Sequence, residues 1–109
     1  MEMPMTLKSS IIIEGLQVIA IHPGKLLKRE IDARGLSANA LARALRVPPG
    51  RIIDIINAKR AISAETALRL GRYFGTGGRL WLALQARYDL AIAERMSGAR
   101  VAAEVEHAA

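Results

Sequence analysis

The sequence has no cysteine and only two histidines. The first absence excludes a disulfide scaffold, thiolate metal sites and thiol catalysis. The second leaves too few imidazoles for a histidine-built metal or catalytic centre. Aromatics are scarce, with one Trp, two Tyr and one Phe among 109 residues. Long apolar runs are missing too. The most apolar stretch, Ile11 to Ile21, is too short to span a bilayer and carries Glu14, Gly15 and Gln17. The same interruptions, with no small-residue cleavage site after them, argue against a secretory signal, so a cytoplasmic location without membrane association is expected. No Ser/His/acid set or paired carboxylates stand out. Gly75-Thr76-Gly77-Gly78 lacks the Lys and Ser/Thr of a phosphate-binding loop. The reading is therefore non-enzymatic, with no metal and no cofactor.

Acidic residues are the other shortage: Asp and Glu number 10 against 16 Lys and Arg. The imbalance is local. Residues 22–75 hold eleven basic residues and four acids, a net of +7, whereas residues 1–21 carry −1 and residues 76–109 carry 0. A basic block inside a folded domain points to a polyanion, with nucleic acid the first candidate, or to a merely solvated cationic surface.

What is abundant is Ala, Leu and Ile. Hydrophobic residues make up 51% of the chain, enough for one folded domain of helical type. Residues 1–10 read as disordered, and the β-branched runs Ile11-Ile12-Ile13 and Val18 to Ile21 as short strands in an N-terminal extension covering residues 1–21. After His22-Pro23-Gly24 a helix is expected, with Leu26, Leu27 and Ile31 on its apolar face and Gly35 as its left-handed stop. His22 reads as a helix-entry hydrogen-bond partner. Ser37 is the N-cap of a second helix through Leu41, Ala42 and Leu45. Pro49 opens a third, to about Ala58, with Ile52, Ile55 and Ile56 inward. Ser63 caps a fourth with Glu65 in its first turn and Gly75 as its stop. Thr76 is placed to cap a fifth, striped by Trp81, Leu84, Tyr88, Ala91 and Ile92. The expectation is an all-α domain of five helices over residues 22–97, followed by an Ala-rich tail of frayed helix, residues 98–109.

Ala38 to Ile55 carries the chemistry. Leu41, Leu45, Val47, Ile52 and Ile55 fall where a helix-turn-helix needs apolar side chains, and Ala42 falls where its helices touch. The second helix of that pair then presents Gly50, Arg51, Ile53, Asp54, Asn57 and Ala58 outward, as a groove-reading face would, with Pro49 at its start a further DNA-binding candidate. Arg51 suits guanine and Asn57 adenine, unless Asn57 only caps the helix C-terminus; Ile53 suits a thymine methyl. Asp54 can accept from a cytosine amine, orient Arg51, or simply pair with Arg51 or Lys59. Ser37, Asn39, Arg43, Arg46, Lys59 and Arg60 are candidates for phosphate. Ser37 caps its helix whether or not DNA is present. Trp81, Leu84, Tyr88 and Ile92 are the candidate dimer interface, at a helical spacing equally suited to core. A dimer would set two reading helices roughly 34 Å apart.

The motifs HPG, LSANALARAL, VPP, INAKRAISAETALRL, YFGT and LWLALQ, in this order between His22 and Arg95, resemble the HigA-type antitoxins of the Xre (Cro/cI-like) helix-turn-helix family. The resemblance implies a five-helix, lambda-repressor-like fold, a homodimer, and autorepression at an operator DNA in the protein's own promoter. It also implies a RelE-like HigB toxin as partner. The alternatives are a solitary Xre-family regulator, or a protein-interaction module whose DNA-reading face has decayed. The chain departs from the family pattern in having Ala38 for Gln, Gly50 for Arg and Ile53 for Asn. Arg46 stands at the turn position usually given to Gly, where a left-handed backbone is expected of it. Gly77-Gly78-Arg79 replaces a common Ser-Pro-Glu.

Overall fold

The computed structural model describes residues 20–108. Helices α1 Pro23–Ala33, α2 Ala38–Leu45, α3 Pro49–Ile56, α4 Ala64–Phe74 and α5 Gly78–Glu104 follow one another without a strand among the described residues. The strands expected from Ile11 onward lie outside them, Ala20 and Ile21 apart. The chain divides into two compact units. One is Ile21–Ala86; of the other, Ala20 and Arg87–Ala108 are described.

Local chemistry sets the ends of the first four helices. The His22 ring accepts from the Gly24 amide through Nδ1 at 2.9 Å, as expected of a helix-entry partner. The Ser37 hydroxyl accepts from the Ala40 amide at 3.0 Å and the Ser63 hydroxyl from Thr66 at 3.2 Å. Each satisfies an amide that the first turn leaves without a helical partner. Pro49 sits in the first turn of α3, where its missing N–H is not needed.

Three helices close with the same turn. Leu36 donates to Ile31 O and Gly35 to Asp32 O after α1. Val47 donates to Ala42 O and Arg46 to Arg43 O after α2. Lys59 donates to Asp54 O and Ala58 to Ile55 O after α3. These are the paired bonds of a Schellman turn, which places one residue in the left-handed region. Gly35 (φ 67°) takes that conformation without strain; Arg46 (φ 61°) and Ala58 (φ 61°) do not have that freedom. Arg46 is left-handed as expected. At Ala58 the expectation differed: the third helix ends at Ile56, because the chain turns left-handed two residues later. Arg46→Gly should therefore stabilise the domain by about 1 kcal/mol. A urea titration at constant slope reads this as a higher midpoint; no gain would show that Arg46 makes compensating contacts.

Leu27, Leu41, Ile52, Ile55 and Leu70 are fully buried. They come from α1 to α4 and meet in one core that also takes in Ala42, Ile62, Ala67 and Trp81. α3 packs on both α2 and α1, and α2 also packs on α4. Where a full side chain would hold the backbones apart, the chain has small residues. Ala42 is wholly buried in the α2–α3 pair, and a Cβ on Gly71 would stand 2.1 Å from the Gly77 carbonyl carbon.

One expectation needs correction. Thr76 does not cap α5. Its hydroxyl accepts from the Trp81 indole N–H at 3.1 Å and donates to Gly77 O at 3.0 Å. The tail beyond Gly98, expected as helix, is helical as far as Glu104. Met96, Ala99 and Arg100 near Gly98 are good helix formers, and one glycine costs a long helix only about 1 kcal/mol relative to alanine. Among the described residues, no helix is long and apolar enough to cross a membrane.

Candidate nucleic-acid interface

With Ile52 and Ile55 wholly buried and Ile56 half-buried, the 3.6-residue period fixes what α3 shows to solvent. Pro49, Gly50, Ile53 and Asn57 are exposed, and Arg51 and Asp54 are half-buried beside them. The turns at either end of α3 add exposed cations: Arg46 before it, Lys59 and Arg60 after it. Ser37, Asn39 and Arg43 are exposed on or next to α2. The structure thus puts the candidate groups on α3, its flanking turns and α2. Gly50 leaves open space, with nothing within 4 Å of where its Cβ would be. Ile53, 42% exposed, is the one large apolar side chain of α3 left in water. An isoleucine so placed suits a thymine methyl.

The charges are organised by partners the sequence did not reveal. Asp54 pairs with neither Arg51 nor the Lys59 side chain; its carboxylate lies 3.7 Å from Arg60 Nη2, across the turn that ends α3. Arg51 turns instead to Glu65 in the first turn of α4, with Nη1 3.5 Å from Oε1. Glu65 Oε2 accepts from Arg69 Nη2 at 3.0 Å, and Arg69 Nη1 donates to the Leu45 carbonyl at 3.0 Å. The hydrogen bond from Arg69 and its positive charge, with a smaller contribution from Arg51, hold the Glu65 carboxyl below the ordinary carboxylate range. Glu65 had signalled only a favourable charge at a helix N-terminus. Its separation of fourteen residues from Arg51 hides the pairing from any local pattern.

The proposed dimer residues fall differently. Trp81 is 3% exposed and tilts against Phe74 with centroids 5.8 Å apart, so its surface is spent inside its own unit. Leu84 is half-buried in that unit. Tyr88 and Ile92 are half-buried in the other.

Two short helices joined by a left-handed turn, the second bearing a half-polar outward face flanked by cations, define a helix-turn-helix protein. The chain belongs to that family: the helix-turn-helix family model matches residues 27–81, and the Xre-type, HigA-like resemblance of the motifs is borne out. The chain is 53% identical over 77 residues to Virulence-associated protein I of Dichelobacter nodosus, covering 70% of this chain and 71% of that protein. It is similar to the solved structure of an addiction module antidote protein of a HigA family from Coxiella burnetii. The identity is 41% and the TM-score 0.81, over 84% of this chain and 100% of that one. It is also similar to the Pseudomonas aeruginosa antitoxin HigA with the higBA promoter. Here the identity is 43% and the TM-score 0.78, over 81% of this chain and 97% of that one.

Proposed function

We propose that the protein is a sequence-specific DNA-binding antitoxin that represses its own HigBA-type operon as a homodimer, with a RelE-like HigB toxin as its protein partner. The observation that carries this reading is the outward face of α3. Arg51, Ile53 and Asn57 there offer a guanine reader, a methyl contact and an adenine reader on one short helix and its C-cap, with Asp54 between them. The cations at Arg43, Arg46, Lys59 and Arg60, with Ser37 and Asn39 at the start of α2, supply the phosphate contacts that fix register. The similarity to an antitoxin solved with its promoter supports DNA as a partner here.

Fluorescence anisotropy over a salt series tests it, with duplexes from the protein's own upstream promoter and a scrambled control. The promoter should bind at least about 10³-fold tighter than the scramble. Equal affinities that both collapse with salt would reduce the basic block to electrostatics. The reading face would then be a decayed one, made so by Ala38, Gly50 and Ile53, and a protein partner would be the main function. Co-purification with the product of an adjacent toxin gene separates the antitoxin from a solitary regulator.

A further inference from the structure

We propose that Glu65 is a positioning residue for base reading, its carboxylate bracing the Arg51 guanidinium so that the remaining N–H edge meets a guanine. This deepens the proposed function and rests on it. An unbraced arginine must give up much rotamer freedom to hold a planar fork against a base. Here that freedom is already reduced. The Arg51 side chain is only 28% exposed, with Nη1 3.5 Å from Glu65. The brace is itself anchored. Arg69 grips Glu65 through Nη2 and the Leu45 carbonyl through Nη1, both at 3.0 Å. The line Leu45, Arg69, Glu65, Arg51 therefore ties the end of α2, the start of α4 and α3 into one frame. The competing carboxylate on α3, Asp54, is turned to Arg60 instead.

A carboxylate on this face also has a cost for DNA binding, because it repels phosphate. Removing it should therefore move two quantities in opposite directions. Non-specific affinity rises at low salt, and base discrimination falls. A merely structural role for Glu65 would move both the same way. The lowered Glu65 pKa fits a brace that stays charged. A depressed carboxyl keeps its charged-state contribution above the ordinary range and loses it only as pH falls through the depressed value. Discrimination should thus persist as pH falls to the ordinary carboxylate value and be lost only below it.

The test uses the full chain and its Glu65→Gln, Glu65→Ala, Arg51→Ala and Glu65→Ala/Arg51→Ala variants. Each is titrated against the promoter operator, a panel of single-base-pair substitutions in it, and a scrambled duplex. Glu65→Gln keeps the side-chain shape and guards against a folding defect in the alanine variant. Both Glu65 variants should lose about tenfold of discrimination at the base pair where Arg51→Ala loses it. They should also bind the scramble more tightly, and Glu65→Ala should cost no further discrimination on the Arg51→Ala background. Equal changes on operator and scramble would overturn the proposal. So would Glu65 variants that keep the discrimination Arg51→Ala loses, with the base-reading function left intact. A wild-type chain that treats operator and scramble alike would overturn this inference and the proposed function together.

Discussion

Gly24→Ala should destabilise the domain by about 3 kcal/mol or more, and the loss should come from α3. Gly24 is the second residue of α1. A Cβ there would stand 1.8 Å from the Ile55 carbonyl oxygen and 2.8 Å from its carbon. Both are backbone atoms of α3, so no rotamer change can relieve the overlap. The Ile55 oxygen already accepts from the Ala58 amide in the turn that ends α3, at 3.0 Å. Shifting it disturbs that turn or moves α3 off α1. His22 adds a smaller obstacle, with Nδ1 3.1 Å from the same Cβ position and bonded to the Gly24 amide. The expected result in urea is a lower midpoint at an unchanged slope. Operator affinity measured where the variant is still folded should also fall, because Arg51, Ile53 and Asn57 move with α3. An unchanged midpoint would show that α1 and α3 separate freely, and that Gly24 is not what lets them approach.

That contact marks the limit of what the sequence could tell. Features governed by residues within one turn of each other were legible in advance. Ser37 and Ser63 cap, Pro49 opens α3, Gly75 closes α4 in the left-handed region at φ 75°, and Arg46 takes the strained turn. So were the buried sides of the helices, because Ile52 and Ile55 repeat at helical spacing. What depended on two segments meeting was hidden. Gly24 reads as part of a helix-breaking HPG run, and only the fold sets it against Ile55. Glu65 reads as a dipole-favouring acid, and only the fold brings it to Arg51. Thr76 reads as a cap, yet its hydroxyl is taken by an indole five residues on. Side chains with several possible partners are assigned by geometry, and short-range pattern carries little of it. The outward set on α3 was legible as a set, while the pairing that organises its charges was not.

The same distinction sets the expected effect of Arg51→Ala. If Arg51 makes a bidentate contact to one guanine, its loss should weaken operator binding by about 1–3 kcal/mol and relax preference at a single base pair. Folding should hardly change. The lost ion pair with Glu65 is long, at 3.5 Å, and Glu65 is 61% exposed, so its net contribution lies near the low end of the zero to about 1 kcal/mol found for surface pairs. Glu65 also keeps its bond from Arg69, so no carboxylate is left without a partner. Lys59→Ala supplies the contrast. Lys59 lies past the end of α3, exposed, where under the proposed function its charge would meet phosphate in any sequence. Its removal should weaken operator and scrambled duplex alike and lower the salt slope by about one. The two variants thus separate the reading of bases from the holding of the backbone. A uniform loss from Arg51→Ala, matching that of Lys59→Ala on every duplex, would place Arg51 among the phosphate contacts. Specificity would then rest on Ile53 and Asn57 alone, an apolar contact and one amide, which between them favour A·T pairs.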